Sequence, residues 1–205
     1  MRNRTIYFYV AASLATVVPV PGRLAFGLLM VVLFNIQVVT GVLTCHLATR
    51  LKLDDLQRVI VSVELIAITI LYKQLVMLVC PVAALTLGFL IYLPALSSAV
   101  IEFSYKNNVG TLAEDLKEKA ARNGVFSAVA LALFFVRDTI GFGTVTFPAW
   151  QRIAAAHLPV FPGTAAVGAF LATVPGAFVL AALLLALYLF VTGQFARIAR
   201  AGGGQ

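Results

Sequence analysis

The chain has 205 residues, of which 61% are hydrophobic and only 11% are charged. A soluble domain carries about 25% charged residues, so this composition excludes an ordinary water-soluble fold with a charged surface. The formal net charge is +7, which in a soluble protein would favour a nucleic-acid partner. Here the basic residues flank apolar runs, where anionic lipid and membrane topology account for them. We therefore expect a lipid bilayer, and no nucleic acid, among the partners.

Six apolar runs predict an all-α membrane protein with six transmembrane helices, because a helix needs about 20 apolar residues to cross a bilayer and lipid satisfies no loose backbone groups. In chain order the predicted spans cover residues 6–20, 24–47, 56–72, 75–101, 125–140 and 165–191. The first span is short and stops before Pro21 and Gly22. The fourth contains Pro81 and Pro94, and the sixth contains Pro175.

Basic residues in the loops set the predicted orientation. With six spans, one side holds far more lysine and arginine than the other, so the positive-inside rule places both termini in the cytoplasm of an inner membrane. The richer side has Arg2, Arg4, Arg50, Lys52, Arg58, Lys106, Lys117, Lys119, Arg122, Arg197 and Arg200, against Arg23, Lys73, Arg137 and Arg152. A cleaved signal peptide is the alternative for the first run, although that run lacks an Ala-x-Ala site.

The segments between and after the spans give three further predictions. Residues 102–124 are predicted to form a cytoplasmic surface helix that begins with a capping box at Thr111–Glu114 and ends at Gly124, with Asp115/Lys119 and Glu118/Arg122 as favourable i,i+4 pairs. Residues 144–163 are expected to face outward, with Trp150 and its aromatic neighbours at the headgroup level. Residues 198–205 are predicted to be a disordered tail.

The chain is predicted to be one transmembrane domain, 1–205, made of two halves of three spans each, 1–74 and 75–197. An odd number of spans in each half would make the halves inverted repeats. Helices 1 and 4 are disturbed by prolines at matching places, which is typical of a site at the membrane midplane. Prolines are also simply commoner in membrane helices, and both interpretations stay open.

No metalloprotease, phosphate-loop or nucleophile-elbow motif and no metal-ligand spacing occurs, so neither a catalytic residue nor a metal site is predicted. Ionisable residues inside spans cost about 2.5–3.5 kcal/mol each and face the bundle interior or water. Glu64 in the third span is either a proton or cation relay or a carboxylate bonded to a neighbouring helix. Arg137 and Asp138 are expected to form an interface pair that fixes the turn at residues 141–143. Asn35, Gln37 and Thr40 are expected to hold helices together.

Three segments are similar to one protein family. Residues 137–145, Arg-Asp-Thr-Ile-Gly-Phe-Gly-Thr-Val, resemble the Arg-Glu-x-x-Gly-x-Gly-Thr-Leu stretch of the E subunit of the Rnf electron-transport complex and the D subunit of the sodium-pumping NADH:quinone reductase. Residues 174–178 resemble the family's Pro-Pro-Gly-Ala-Phe, and residues 91–95 its Phe-Ile-Pro-Leu. The resemblance covers residues 92–197 with gaps. The matching motif residues are Arg137, Asp138, Gly141, Gly143, Thr144, Pro175 and Gly176.

The resemblance implies six spans, cytoplasmic termini, flavins on partner subunits and a homologous six-helix partner. In the family, cysteines from the first and fourth spans help to hold a [2Fe-2S] cluster at the midplane. Here those positions fall near Val18 and Val100 and offer no sulfur. Thiolates are the ligands that such clusters need, so we expect the cluster to be missing.

Three functions follow as hypotheses. The first is a non-catalytic membrane subunit of an Rnf-like, ion-translocating electron-transfer complex. The second is a vitamin-type binding subunit of a transporter, since Ala11 and Ala15 have the Ala-x-x-x-Ala spacing by which such subunits contact their partner. The third is a structural assembly subunit without transport.

Overall fold

The computed structural model describes residues 2–97, 111–157 and 166–202. Within these ranges the chain is mostly helical. The helices are α1 (Arg2–Val17), α2 (Leu24–Arg50), α3 (Gln57–Val79), α4 (Pro81–Leu87), α5 (Leu93–Leu96), α6 (Leu112–Val136), α7 (Ala166–Ala172) and α8 (Val174–Gly202). Short 3-10 turns lie at Asp54–Leu56 and Leu90–Tyr92, and a π turn, Arg137–Gly141, extends α6.

Four of these segments are long and apolar enough to cross a membrane, namely Leu24–Arg50, Gln57–Val79, Leu112–Gly141 and Val174–Val191. They correspond to the second, third, fifth and sixth predicted spans. A mainly helical chain of membrane type is thereby confirmed, whereas a total of six spans stays a prediction. The helix of the first span, α1, has 16 residues and at 1.5 Å per residue reaches about 24 Å.

The fourth predicted span, 75–101, is not one helix. Its first residues belong to α3, and the backbone of Cys80 (φ −143°, ψ 81°) separates α3 from α4. A second break follows at Gly88, whose φ of 50° lies in the left-handed region that glycine adopts most readily. The prolines stand at the starts of α4 and α5, where a missing N–H costs little. The segment is thus interrupted, as its prolines indicated; one break lies beside Pro81 and the other at Gly88, before the turn that leads to Pro94, and its role as a fourth span stays a prediction.

The helix predicted over 102–124 does not end at Gly124, so that prediction was wrong. The capping box at Thr111 is present: Thr111 N donates to Glu114 Oε2 at 3.0 Å, and Thr111 Oγ1 accepts from Glu114 N at 3.4 Å. From there α6 runs without interruption through Gly124 into the predicted fifth span. A glycine inside a helix costs about 1 kcal/mol, and packing of α6 against α1 and α2 outweighs that. Residues 102–110 lie outside the described residues.

A two-stranded β-hairpin, which the sequence analysis did not predict, is added to the mainly helical fold. Strand β1 (Thr144–Ala149) pairs antiparallel with β2 (Arg152–His157). The turn has Trp150 and Gln151 at its tip, and Gln151 has a positive φ of 60°. Gln151 N donates to the carbonyl of Val79 at 2.8 Å, which ties the tip to the end of α3. Phe147 and Trp150 are exposed; the remaining predicted anchors, Phe161 and Pro162, lie outside the described residues.

The last predicted span, 165–191, is also interrupted. Helix α7 ends at Ala172 and α8 begins at Val174, with Thr173 between them. The Thr173 hydroxyl accepts from Gly176 N at 3.3 Å and thereby satisfies one free donor at the start of α8. Helix α8 continues to Gly202, so residues 198–202 of the predicted disordered tail are helical. Residues 203–205 lie outside the described residues.

Helix α2 is the centre of the bundle and packs against α3 on one side and α6 on the other. Its contact with α6 is close: Gly27 faces Phe134 so tightly that a Cβ at Gly27 would collide with the ring. The rings of Phe34 and Phe126 are in contact, with centroids 4.5 Å apart and ring planes tilted by 48°. By contrast, α3 and α8 expose long apolar faces, as helices solvated by lipid do.

Candidate functional site

The π turn after α6 places two charged side chains, Arg137 and Asp138, inside the bundle, where they are 1% and 0% exposed. They bind different sets of partners. Oδ2 of Asp138 accepts from Leu24 N at 3.0 Å, from Thr146 N at 2.7 Å and from the Thr146 hydroxyl at 2.6 Å. Oδ1 accepts from the Thr144 hydroxyl at 2.8 Å. Both carboxylate oxygens of Asp138 therefore accept at least one hydrogen bond.

These contacts join α2 to the hairpin. Leu24 is the first residue of α2, and its N–H has no partner inside the helix. A carboxylate at that end also interacts favourably with the helix dipole. The next donor, Ala25 N, bonds to the Thr146 hydroxyl at 3.2 Å. Asp138 and Thr146 together thus cap α2, where Arg23 in the N-cap position provides no side-chain cap.

Arg137 has the opposite role, because it donates to backbone carbonyls at two helix ends. Nη1 donates to Val20 O at 3.0 Å and to Val18 O at 3.4 Å, just after α1. Nη2 donates to Ala172 O at 3.2 Å, and Nε donates to Leu171 O at 3.4 Å, at the end of α7. A guanidinium suits this position, since carbonyls at helix C-termini lack internal donors and carry partial negative charge.

Glycines make room for this arrangement, which we call the Arg137–Asp138 hub. A Cβ on Gly22 would stand 2.8 Å from Arg137 Nε, and a Cβ on Gly141 would press against Ala172 at 3.3 Å. Gly143 has a φ of 63°, which turns the chain into β1. The hub has hydrogen bonds for both charges, and these bonds join helix ends to one another and to the hairpin, so its geometry supports a structural role.

The two motifs that carry the family resemblance meet at the hub. Residues 137–144 form its centre, and α8 begins with the Val174–Phe178 motif two residues after the Ala172 carbonyl that Arg137 binds. Pro175 stands in the first turn of α8, where a proline is tolerated. Gly176 lies against the Phe170 carbonyl so closely that a Cβ would not fit.

Glu64 lies in a different place, on the side of α3 that faces α2. Both of its carboxyl oxygens are buried, and neither has a hydrogen-bond partner among the described residues. Thr40 of α2 lies beside the carboxyl group. Nearby on the same interface, Gln37 Nε2 donates to the Thr69 hydroxyl at 2.9 Å, while Gln37 Oε1 is buried without a partner. The two predicted candidates, Glu64 and the Arg137–Asp138 pair, are therefore not brought together.

A third group of polar residues was missed by the sequence analysis. Asp115, Lys119 and Asn123 lie on one face of α6 and are buried, so packing covers positions that a surface helix would expose, while the predicted pair of Glu118 and Arg122 is present. Asp115 Oδ2 is 3.0 Å from Nε2 of His46 on α2. The four-residue spacing of these side chains was the available signal, since it places them on a single helix face.

Further along the same face, the polar contacts continue into the bundle. The Tyr9 hydroxyl donates to Asn123 Oδ1 at 3.0 Å, and Asn123 Nδ2 donates to Asn35 Oδ1 at 3.0 Å. Asn35 Nδ2 then donates to the Ser127 hydroxyl at 3.1 Å. The expectation that Asn35 holds helices together is confirmed, and the chain of amides and hydroxyls links α1, α2 and α6.

The residues that the structure describes do not fit an iron–sulfur cluster. Val18 is buried and offers only its carbonyl, which Arg137 binds. Cys45 and Cys80 are buried thiols on separate elements, and within the described ranges no three His, Cys, Asp or Glu side chains converge as metal ligands. The other cluster position, 98–100, lies outside the described residues. His157 is in β2 and exposed.

Comparisons of the sequence with protein-family models and with curated proteins find no match.

Proposed function

We propose that this chain is an integral membrane subunit of an ion-translocating electron-transfer complex of the Rnf type, and that it serves as a scaffold without a reacting centre of its own. The observation that carries the proposal is the meeting of the two motifs at the Arg137–Asp138 hub. Residues 137–144 and 174–178 resemble one family in sequence, and they are adjacent in the fold through Arg137 and Ala172. Chance similarity of two short segments does not require them to be neighbours.

The exposed apolar faces of α3 and α8 also suit a subunit of a larger assembly. Only about a quarter of each span is buried within the chain, 28% for Gln57–Val79 and 22% for Val174–Val191. Such faces are solvated by lipid or by helices of partner subunits. The partners would be a homologous six-helix subunit and flavin-bearing subunits, which would supply the redox chemistry.

Co-purification tests this proposal. The chain, tagged at its C-terminus, is purified from its native membrane in a mild detergent, and the associated subunits are identified by mass spectrometry and flavin fluorescence. A tagged membrane protein of similar size and abundance is the control. We expect a flavoprotein and a second multi-span subunit in stoichiometric amounts with this chain and not with the control. Recovery of the chain alone, from membranes in which those subunits are expressed, would refute the proposal.

The topology that belongs to this function is six spans in the inner membrane, with both termini in the cytoplasm and the two halves inverted. Reporter fusions test it. A fluorescent protein at residue 205 should fold in the cytoplasm, and alkaline phosphatase inserted after Gln151, at the hairpin tip, should be active outside. The reverse pattern would overturn the orientation and with it the assignment of the hairpin to the outer face.

One observation favours a second function, a vitamin-binding subunit of a transporter. Ala11 and Ala15 are both exposed on α1, which leaves their face free for close helix contact. The isolated chain would then bind a vitamin-type small molecule with submicromolar affinity, measured by calorimetry against a panel of such compounds. Replacement of Ala11 by Leu should abolish partner association while binding is retained. Failure to bind any compound in the panel would leave only the first proposal.

A further inference from the structure

The interface between α2 and α3 contains buried oxygen atoms that lack hydrogen-bond donors. They are both carboxyl oxygens of Glu64 and Oε1 of Gln37. Gln37 is 0% exposed, and its amide nitrogen is already committed to Thr69. Buried polar atoms are paired in the great majority of cases, so each orphan needs a physical reason. Here the three unpaired atoms are all acceptor oxygens on two facing helices, so the interface lacks a hydrogen-bond donor.

The hydroxyl beside Glu64 does not supply that donor. Thr40 Oγ1 donates to the Ile36 carbonyl at 3.0 Å, within its own helix. Its hydrogen is therefore engaged within α2. A protonated Glu64 carboxyl group carries an O–H donor of its own, whereas an ionised one has only acceptor oxygens.

Within the part of the chain that the structure describes, no cation pairs with the Glu64 carboxyl group. No charged group among the described residues contributes to its electrostatic environment, which is set by burial and by Thr40. On α3 itself the nearest basic residues are Arg58 and Lys73, well over one helical turn away on either side. Of the titratable groups on the packed elements, His46 on α2 is bound to Asp115, and Tyr92, beyond α4, lies beneath Lys73. An unpaired charge at this depth is strongly disfavoured.

We propose that Glu64 is a proton-binding site, which holds a proton at neutral pH and exchanges it with water through the α2–α3 interface. In this step a carboxylate oxygen forms an O–H bond with a proton from a hydronium ion, which becomes water, and the reverse step returns the proton to a water molecule. Glu64 stands seven positions after Gln57, the first residue of α3, which puts it about 10 Å from that helix end. At this depth a proton that enters from one face of the membrane can be bound within the bilayer. The inference extends the proposed function but does not depend on the proposed complex.

Infrared spectroscopy of the full chain in vesicles of phosphatidylcholine and phosphatidylglycerol tests the site. We expect the wild-type spectrum minus that of Glu64→Gln to contain the carbonyl stretch of a carboxylic acid at neutral pH, and we expect that band to shift in D₂O. Glu118→Gln is the matched control, because Glu118 is exposed and paired with Arg122; its difference spectrum should contain only carboxylate bands. Carboxylate bands for Glu64, or an acid band that does not shift in D₂O, would overturn the proposal.

Two further measurements distinguish a proton site from a metal-cation site and cover the case in which the variant does not fold. Replacing choline chloride by sodium chloride should leave the acid band unchanged; its loss in sodium alone would identify an alkali-cation site instead. If Glu64→Gln does not insert, wild-type vesicles are treated with a hydrophobic carbodiimide, which modifies protonated carboxyl groups, and the peptides are mapped. Modification of Glu64 and not of the fully hydrogen-bonded Asp138 supports the site, and an unmodified Glu64 contradicts it. Because these tests use the isolated chain, a failed co-purification would not affect them.

Discussion

Removal of the Asp138 carboxylate should be among the most damaging single changes in the chain. The side chain accepts four hydrogen bonds, two of them from backbone N–H groups of different elements, Leu24 and Thr146. In Asp138→Ala these buried donors lose their acceptor. Hydrogen bonds to a charged group contribute about 1.5–3 kcal/mol each, but the change also removes the cost of burying the charge. Loss of one member of a buried charged network typically costs about 3–5 kcal/mol, which we take as the expected destabilisation.

Asp138→Asn is the informative comparison. An amide has nearly the same shape, and its oxygen can occupy the place of Oδ2, where three of the four donors converge. Its NH₂ group can donate to the Thr144 hydroxyl, which then accepts instead of donating. Only the charge is lost, and we expect about 1–2 kcal/mol. For a chain of this length each kcal/mol corresponds to about 2–4 °C in Tm, so the two variants should fall by about 6–20 °C and 2–8 °C.

The native thiols provide the assay. Cys45 and Cys80 are buried, so a thiol-reactive fluorogenic dye reports unfolding of the detergent-solubilised protein without any engineered label. Asp55→Asn is the control, since Asp55 is exposed and surface changes stay within about 0.5 kcal/mol. Equal Tm values for Asp138→Ala and Asp55→Asn, or a larger loss in Asp138→Asn than in Asp138→Ala, would refute the reasoning about the hub.

Three further changes can be measured with the same dye. Gly27→Ala places a methyl group against a ring of α6 and should cost about 1–3 kcal/mol, whereas Gly124→Ala, with open space around it, should gain up to about 1 kcal/mol; the opposite order would contradict the packing. Arg137→Lys keeps the charge but cannot reach carbonyls at two helix ends with one ammonium group, and a loss of about 1–3 kcal/mol is expected; an unchanged Tm would count against it. Tyr9→Phe should lower the free energy of unfolding by about 0.6 kcal/mol. In a protein that already carries Asn123→Ala, the same change should cause no further loss, and additive losses would show that the two side chains are not coupled.

The long spans could be predicted from sequence because hydropathy alone decides whether a helix is stable in lipid. The breaks could not be placed as well. Pro81 and Pro94 indicated an interrupted segment, but a proline at a helix start is compatible with the helix, and the interruptions fall at Cys80 and Gly88. The position at which a helix is interrupted depends on its tertiary packing, which the local sequence does not show.

Two other errors have the same origin. The charged stretch before Gly124 looked like a surface helix because Asp115 and Lys119 are charged, yet tertiary packing buries both. The hairpin was missed because Pro148 and an alanine-rich second strand weaken the strand signal. Its signal was the alternation of Thr144 and Thr146, whose side chains both point inward. Their partner, Asp138, could not be inferred from that alternation alone.

Asp138 and Glu64, two buried carboxyl groups, illustrate how environment decides the role of a residue type. Asp138 is surrounded by donors that are fixed by α2 and the hairpin, and both of its oxygens accept hydrogen bonds from them. Glu64 has no hydrogen-bond donor among the described residues, so burial of its ionised form would be unfavourable. Hydrogen bonds from donors to every oxygen of a carboxylate favour its ionised form. A carboxyl group that binds and releases a proton therefore needs fewer such donors. The missing donors around Glu64 are therefore the feature that suits it to proton exchange, and an added donor should abolish that property. Ile68→Lys, one helical turn along α3, should convert the acid band of Glu64 into carboxylate bands. Persistence of the acid band beside a lysine would show that burial alone holds the proton.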